Sequence, residues 1–226
     1  MAENQRWIPL ESNPDVLNKY IAKLGVPTEW QFQDIYGLDP DLLAMVSQPV
    51  VAVMLLYPIT EKSKATPIGT FEEDSKSETY FVKQTIGNAC GTVAIVHALA
   101  NNKEKIQFID EKPFASFLKS TLDKSPEERA TCLGTDESMG AAHDDSAHEG
   151  QTKAPSADEK VNTHFVAFVC KDGKLYEMNG SNPSPTFHGD TTPDTLLQDS
   201  VNVVKKFMER DPTELNFTLM ALSKVN

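Results

Sequence analysis

The spacing of apolar residues along the chain predicts alternating helices and strands. Residues 12–26 open with polar capping residues, a proline and an aspartate, and their apolar positions then recur at helical intervals, which predicts a helix. Residues 49–59 form a continuous, β-branched-rich apolar run between prolines, which predicts a central strand. Residues 91–102 are apolar at nearly every position and predict a buried helix. This mixture around one sheet indicates an α/β (α+β) fold with a single domain over residues 1–226.

The same pattern predicts shorter elements and polar segments. Residues 60–79 are polar and predict a surface connection, and residues 80–86 predict an extended segment. Residues 134–160 contain almost no large apolar side chain, so we expect a loop without regular structure, typical of a lid or binding loop but also of a neutral insertion. The remaining predicted elements are strands over residues 30–39 and 216–223 and helices over residues 39–46, 112–124, 125–133 and 192–212.

A β-hairpin is predicted around Asp172-Gly173, a turn dipeptide that lies between two apolar segments. A two-residue turn there pairs Lys171 with Lys174. This register places Asn179 diagonally across from His164, on the same face of the hairpin. A slip by one residue would put these two side chains on opposite faces.

Composition excludes several classes of protein. The chain is 39% hydrophobic and 24% charged, as ordinary globular proteins are, and it contains no apolar run long enough for a transmembrane helix. Its first residues lack the pattern of a secretory signal. The net charge of −12 argues against nucleic acid and favours a partner with a basic face, although solubility alone would also account for it.

The three cysteines are odd in number and show no CxxC spacing, which argues against a disulfide framework or a zinc cluster. We therefore expect no metal and no membrane association. The expected location is the reducing cytoplasm, with the nucleus as a second compartment.

Cys90 is the candidate nucleophile because it lies at the start of the predicted buried helix, with Asn88 as the expected cap. Free N–H groups and the helix dipole at such a position stabilise a thiolate. The alternative is a structural buried cysteine, which is what we expect of Cys132 and Cys170.

A cysteine nucleophile needs a base that can also protonate the leaving group. His164 opens a rigid strand and is the candidate base. His97 lies within the predicted buried helix and is expected in the core, His143 and His148 fall in the predicted loop, and His188 lies in a Pro/Gly-rich stretch.

Two further side chains complete the candidate site. Asn179 would orient the imidazole of His164, although turn chemistry is an alternative role for this residue. Gln84 and the backbone N–H of Cys90 would donate to the oxyanion that forms during acyl transfer.

At Gln84, Cys90, His164 and Asn179 the sequence resembles the ubiquitin C-terminal hydrolase family. Its members are papain-like cysteine peptidases that release ubiquitin from its adducts. The resemblance covers nearly the whole chain and points to the short, single-domain members. Its ordered matches are QRWIPLESNPDV, WQFQDIYGLDP, QTIGNACGT, ANNKEKI, SPEERA, SAHEGQT, HFVAFV, LYEMNG and KKFMERDP.

The resemblance implies a papain-like fold, with a central antiparallel sheet flanked by helices and a knotted backbone. It makes Cys90 the nucleophile, His164 the general acid and base, and Gln84 the oxyanion donor. The orienting residue is Asn179, where the family pattern has Asp. Because an amide accepts a hydrogen bond but carries no charge, we expect activity that is retained but lower than that of an Asn179→Asp variant.

The resemblance also implies a crossover loop over about residues 142–160, through which the ubiquitin tail threads, so that only small or unfolded adducts are cleaved. The loop residues are Ala142, His143, His148 and Gly150. Acidic contacts to ubiquitin map to Glu11, Asp15 and Asp34, and they would give the acidic balance a partner.

The sequence therefore predicts a monomeric deubiquitinating thiol hydrolase that acts through a Cys90 acyl-enzyme, without a cofactor. Its expected partner is ubiquitin or a related ubiquitin-like modifier. One alternative is a ubiquitin-binding protein with weak or no turnover, because Asn179 replaces Asp. Another is a general papain-like peptidase, against which the long polar loop and the acidic balance argue.

Overall fold

The computed structural model describes residues 5–72, 78–159 and 161–225, so parts of the predicted segments over residues 60–79 and 134–160 lie outside it. In chain order its elements are α1 (Pro14–Leu24), β1 (Trp30–Asp34), α2 (Pro40–Leu43), β2 (Val50–Pro58), α3 (Glu61–Ala65), β3 (Thr70–Phe71), α4 (Cys90–Ala100), α5 (Pro113–Thr121), α6 (Pro126–Thr135), α7 (Glu137–Ala147), β4 (Thr163–Lys171), β5 (Lys174–Met178), β6 (Thr186–Asp190), α8 (Leu196–Arg210) and β7 (Thr218–Lys224).

One antiparallel sheet organises the molecule. Its strand order is β1-β7-β2-β4-β5-β6-β3, and every neighbouring pair is antiparallel. Alternate residues of a strand point to opposite faces. In β2, Ala52 and Met54 join the core that contains α1, α4 and α5, whereas Val53 and Leu55 join the core that contains α8. The predicted central antiparallel sheet flanked by helices is confirmed.

Helix α1 begins and ends as its sequence predicts. The Asn13 side chain accepts a hydrogen bond from the backbone N–H of Asp15, and a proline follows at the first helical position. Gly25 ends the helix with φ 96°, a left-handed conformation that favours glycine. The helix packs its apolar face into the first core through Val16, Leu17, Tyr20, Ile21 and Leu24.

The predicted hairpin between β4 and β5 is confirmed together with its register. Lys171 pairs with Lys174, and the ladder continues to Ala167 opposite Met178. Asp172 and Gly173 have φ values of 51° and 76°, as a two-residue type I′ turn requires. The alternation that follows from this register sets Asn179 on the His164 side of the sheet.

The prediction of a structureless loop over residues 134–160 is wrong for its first part, which forms α7. Asp136 caps this helix by accepting hydrogen bonds from the N–H groups of Ser138 and Met139, both at 3.0 Å. The buried face of α7 consists mainly of small and polar residues rather than large apolar ones: Met139, Ala142, His143, Ser146 and Ala147. Residues 148–159, hereafter the crossover loop, remain outside regular structure, as do residues 161 and 162.

Other predicted elements differ in smaller ways. Residues 80–86 form no strand, because their polar backbone groups bond to α4, α6 and Gly180 instead of a ladder. The Pro/Gly-rich stretch around His188 contains β6, and the polar connection after β2 contains α3. Within the described part of the chain, no helix has the length and apolarity needed to span a membrane.

Candidate active site

Cys90 is the first residue of α4, whose following residues are all buried. The predicted cap by Asn88 is wrong. Ala89 occupies the cap position without a side-chain hydrogen bond, while Asn88 has φ 62° and donates its amide to the carbonyl of Ala157 in the crossover loop at 2.9 Å. Because no side chain caps the helix, the N–H groups of its first turn remain available to favour a thiolate at Cys90.

His164 lies at the start of β4, with its ring against Asn179 and Tyr57. The His164 Nε2 atom is 2.8 Å from Asn179 Oδ1, and the Tyr57 ring stands edge-on to the imidazole at a centroid distance of 6.1 Å. His164 and Asn179 are each 6% exposed. The sequence therefore predicted correctly that the hairpin brings these two residues together.

The partners of the Asn179 amide fix its orientation. The backbone N–H of Ser181 donates to Asn179 Oδ1 at 3.0 Å. The amide Nδ2 faces the Glu177 carboxylate, and a carboxylate has no proton to donate, so it acts as the acceptor. Asn179 Oδ1 is therefore the acceptor for the Nε2–H of His164. This leaves the Nδ1 atom of His164 as the basic nitrogen for the Cys90 thiol.

The thiol and the imidazole influence each other's protonation. Burial acts to raise the pKa of Cys90, but a hydrogen bond from His164 and its charge, with backbone contacts to Phe165 and Gly91, lower it overall. Burial acts to lower the pKa of His164, but Cys90, Asn179 and the charge of Glu177 raise it overall. The opposite shifts favour a thiolate–imidazolium pair.

Gln84 lies on a segment that the end of β5 holds in place. Its backbone N–H donates to the carbonyl of Gly180 at 2.9 Å. A Cβ atom on Gly180 would approach Val93 Cγ1 at 2.8 Å and Gln84 Cβ at 3.0 Å, so the close contact requires glycine. The Gln84 amide Nε2 donates to the carbonyl of Ile86 at 3.3 Å, and its buried Oε1 has no hydrogen-bond partner among the described residues. The packing brings the Gln84 segment, β5 and α4 together.

The crossover loop is attached to the protein near Cys90. The Glu11 carboxylate accepts hydrogen bonds from Gln151 N at 3.2 Å and from Thr152 N and Thr152 Oγ1 at 2.9 and 2.6 Å. Burial would raise the pKa of Glu11, but these bonds and one from Asn13 lower it to about 2. A second attachment is the bond from Asn88 to Ala157.

The residues predicted for this loop have different environments. Ala142 and His143 belong to α7 and are buried, so their assignment to the loop is wrong. Thr92 Oγ1 lies 2.7 Å from His143 Nδ1, and His143 Nε2 lies 2.7 Å from the carbonyl of Ile8, which makes His143 a structural link between α7, α4 and the N-terminal segment. His148 ends α7, and Gly150 lies in the loop beside Glu11.

The other predicted acidic residues, Asp15 and Asp34, line an open cavity of about 630 Å³ together with Glu11. Asp15 is exposed and Asp34 is half-buried. Burial and the nearby charge of Asp15 raise the pKa of Asp34. The exposed ring of Tyr36 adds an aromatic contact to this acidic surface.

The sequence did not reveal a buried pair behind Asn179. Glu177 Oε2 lies 2.9 Å from His188 Nε2, and both side chains are at most 5% exposed. A cavity of about 500 Å³ adjoins this pair and is lined by His164, Tyr57 and Arg210 among others. One feature of the sequence could have indicated this arrangement. Glu177 and Asn179 are two positions apart, so their side chains point to the same face of β5 and of the extended chain that follows it.

The remaining candidates lie away from this constellation. His97 is fully buried in α4, where it accepts a hydrogen bond from Val82 N at 2.9 Å and stacks on Phe81. Burial lowers the pKa of His97 to about 3, which fits a core residue. Cys132 and Cys170 are free thiols in α6 and β4. Among the described residues, no group of three His, Cys, Asp or Glu side chains could hold a metal ion.

Known proteins resemble this chain over nearly its whole length. The sequence model of the family described as "Ubiquitin carboxyl-terminal hydrolase, family 1" matches residues 7–209. The chain is 55% identical over 212 residues to a protein of Aplysia californica named ubiquitin carboxyl-terminal hydrolase, which covers 94% of this chain and 99% of that one. It is 43% identical over 220 residues to ubiquitin carboxyl-terminal hydrolase isozyme L1 of Rattus norvegicus, which covers 96% and 97%.

Among solved structures, the fold is similar to the catalytic domain of Trichinella spiralis UCH37 bound to ubiquitin vinyl methyl ester. The TM-score is 0.79 at 23% sequence identity, and the match covers 97% of this chain and 96% of that chain. At this level of identity the likeness shows the fold, and it agrees with the fold that the family resemblance implied.

Proposed function

The chain belongs to family 1 of the ubiquitin carboxyl-terminal hydrolases, and on this basis we propose that it cleaves small or unfolded adducts from the C-terminal glycine of ubiquitin through a Cys90 acyl-enzyme. The enzyme is a cysteine peptidase of this family. The observation that supports the assignment of the site is the contact between Cys90 at a helix start and a His164 ring oriented by Asn179. Loss of turnover through Asn179 is not supported, because relatives at 55% and 43% identity are named hydrolases.

In the proposed reaction the Cys90 thiolate attacks the carbonyl carbon of the terminal glycine, and a C–S bond forms. The carbonyl oxygen becomes an oxyanion that accepts hydrogen bonds from the Gln84 amide and the Cys90 backbone N–H. His164 protonates the leaving amine or thiol as its bond to carbon breaks, which leaves a thioester. His164 then takes a proton from water, and the resulting hydroxide attacks the thioester. The C–S bond breaks, the Cys90 thiolate is regenerated beside the protonated His164, and the carboxylic acid of ubiquitin leaves and loses its proton to solvent.

The crossover loop limits the adducts in this proposal. The loop is attached to the rest of the protein at two points near Cys90. Thr152 is bonded to Glu11, and Ala157 is bonded to Asn88. The cavity beside Cys90, lined by Leu10, Val161 and others, has a volume of about 40 Å³ and is far too small for a folded domain. Small or unfolded leaving groups would pass, whereas a folded one would need the loop to open.

Burst kinetics with a fluorogenic ubiquitin adduct test the proposed function. We expect a burst of one fluorophore per enzyme followed by steady turnover, and no turnover of a short peptide adduct that ends in the same glycine. Equal turnover of the peptide would identify a general peptidase instead. Tight ubiquitin binding without a burst would identify a binding protein.

Substitution of Gln84 by alanine is expected to lower kcat by about 10²–10³-fold, because one preorganised oxyanion donor is lost. KM for the ubiquitin adduct should stay within about threefold, since the donor acts on the transition state. Steady-state kinetics measure both values. Gln198→Ala on the exposed face of α8 is the matched control and should leave both unchanged.

The acidic surface is proposed to meet the basic face of ubiquitin. The double substitution Asp15→Asn and Asp34→Asn is expected to raise KM by about 3–10-fold at low salt, with kcat unchanged, because charges at an interface rim mainly steer association. The difference should shrink as the salt concentration rises. Asp110→Asn, an exposed control, should not alter KM, and a salt-independent loss would argue against electrostatic steering.

We also propose that the enzyme acts as a monomer in the cytoplasm and the nucleus. Three free thiols suit these reducing compartments.

A further inference from the structure

Asn179 leaves the Nε2 side of a protonated His164 without a negative charge, although the Cys90 thiolate faces the other side of the ring. The amide oxygen accepts the Nε2–H of His164 at 2.8 Å, but the amide is neutral. His164 is 6% exposed, so water contributes little to stabilising its imidazolium form. A counter-charge from another part of the protein would therefore matter for the thiolate–imidazolium pair.

The carboxylate of Glu177 contacts the far side of the Asn179 amide. Glu177 is the second-last residue of β5, and Asn179 follows on the same face, two positions along the chain. Asn179 Nδ2 donates to Glu177 Oε1 at 3.4 Å. A carboxylate bound to the amide N–H polarises the amide and makes its oxygen a stronger acceptor for His164.

The Glu177 carboxylate is both held and enclosed. Its second oxygen accepts from His188 Nε2 at 2.9 Å, so the first remains directed at Asn179. Glu177 is 4% exposed. Aromatic rings pack around its partner His188: the ring centroid of Phe168 lies 5.9 Å from that of His188 and 6.3 Å from that of Phe207. In such a poorly polarisable environment a charge acts over several ångströms more strongly than it does at the surface.

The Arg210 guanidinium lies near this carboxylate but is directed elsewhere. Arg210 interacts with Glu177 through its charge, but its Nη1 atom donates to the carbonyls of Ser63 and Thr66, at 3.1 and 3.3 Å. In the part of the chain that the structure describes, the charged and titratable groups around His164 and Glu177 are Cys90 from α4, Tyr57 from β2, Lys64 from α3, His188 from β6 and Arg210 from α8.

We propose that Glu177 is a positioning residue for hydrolysis, whose carboxylate supplies, through the Asn179 amide, the negative charge that is missing on the Nε2 side of His164. The inference rests on the proposed function. Its geometric basis is the continuous series of contacts from His188 through Glu177 and Asn179 to His164. The pKa of His164, which burial would lower, is raised in part by the charge of Glu177.

The test is a set of four proteins: the unchanged chain, Glu177→Gln, Asn179→Asp and the double variant. Glu177→Gln keeps the shape and the hydrogen bonds but removes the charge. We expect kcat/KM for the ubiquitin adduct to fall about tenfold. The high-pH limb of its pH profile should move down by about one unit, because the imidazolium of His164 loses its proton more easily.

The double variant distinguishes a charge from a structural role. Asn179→Asp is expected to be faster than the unchanged chain, with its high-pH limb moved up, because the charge lies directly on the imidazole. In the double variant the amide introduced at position 177 donates to the carboxylate introduced at position 179, and kcat/KM should equal that of Asn179→Asp within about threefold. If Glu177 only supported the fold, its loss would cost the same in both backgrounds, and that result would overturn the proposal.

A ubiquitin-free measurement separates failure of this inference from failure of the proposed function. The rate of Cys90 alkylation by iodoacetamide near neutral pH, followed by peptide mass spectrometry, reports the thiolate–imidazolium pair in the protein alone. It should fall about tenfold in Glu177→Gln and be restored in the double variant. Glu72→Gln, which removes a half-buried carboxylate paired with Lys174, is the matched control and should leave the alkylation rate unchanged.

An unchanged alkylation rate and pH profile in Glu177→Gln would reject the role of Glu177 even if ubiquitin hydrolysis is strong. A tenfold fall in alkylation without any ubiquitin hydrolysis would support the contact series and reject the proposed function. Asn179 precedes Gly180, a dipeptide prone to deamidation, so intact and peptide masses must first show that residue 179 is still an amide in the unchanged chain.

Discussion

Substitution of Cys90 by alanine is expected to lower kcat for the fluorogenic ubiquitin adduct by at least about 10⁴-fold. The variant has no nucleophile to form the thioester, and the remaining oxyanion donors and binding contacts cannot replace that step. Because Cys90 begins a helix whose other residues carry the packing, the fold should be retained. Burst and steady-state kinetics measure the loss, and calorimetric titration with ubiquitin should show a dissociation constant within about threefold of the unchanged chain.

The other two cysteines provide matched controls for this experiment. Cys132→Ala and Cys170→Ala remove the same chemical group from α6 and β4, away from His164, and should keep the burst amplitude at one per enzyme. A ubiquitin-tethered electrophile should label Cys90 alone. Labelling of Cys132 or Cys170 with a silent Cys90 would contradict the assignment of the nucleophile.

Substitution of His164 by glutamine is expected to lower kcat/KM by about 10³–10⁴-fold, because both the partner of the thiolate and the acid for the leaving group are lost. The pH dependence gives the sign of the coupling. In the unchanged chain His164 holds the pKa of the Cys90 thiol below its ordinary value against the effect of burial. In the variant burial is opposed only by the backbone contacts of Cys90 with Phe165 and Gly91, so Cys90 alkylation should require a higher pH, near the ordinary thiol value of about 8.5.

The control for the second experiment is Lys205→Gln, on the exposed face of α8. It should leave kcat/KM and the alkylation profile unchanged. Rapid alkylation of Cys90 at a pH of about 6 in His164→Gln would mean that the helix start alone stabilises the thiolate, and it would remove His164 from the activation step.

The His164–Asn179 pair was predictable because local chemistry determines it. Asp172-Gly173 allows a two-residue turn with positive φ at both positions, the turn fixes the register, and the register fixes which residues share a face. The start of α4 was predictable for a similar reason, since a continuous apolar segment marks a buried helix. In both cases the information lies within a few residues of the site.

Helix α7 was not predicted because tertiary contacts rather than composition stabilise it. Its buried face is mostly small and polar, and His143 makes its hydrogen bonds to Thr92 and Ile8, which are distant in sequence. A pattern of large apolar residues cannot reveal such a helix. The Asp136-Glu137 pair at its start was the available local signal.

The role of Asn88 was also predicted wrongly because a contact distant in sequence determines it. An asparagine just before a helix usually caps it, but here the side chain donates to Ala157 in the crossover loop. The contacts of Glu177 with Asn179 and His188 were also beyond the reach of sequence patterns, since they depend on how β5 meets β6. Contacts between elements far apart in the chain are what the sequence alone could not supply.

The position of β7 in the sheet has a consequence for how the enzyme is made. This strand, Thr218–Lys224, is inserted between β1 and β2 and pairs with both. During synthesis β1 and β2 leave the ribosome long before β7. Until residues 218–224 have emerged, β1 has no strand to pair with and one edge of β2 stays unpaired. A nascent chain that stalls before that point would hold the catalytic cysteine in an incomplete sheet, as a target for chaperones and without peptidase activity.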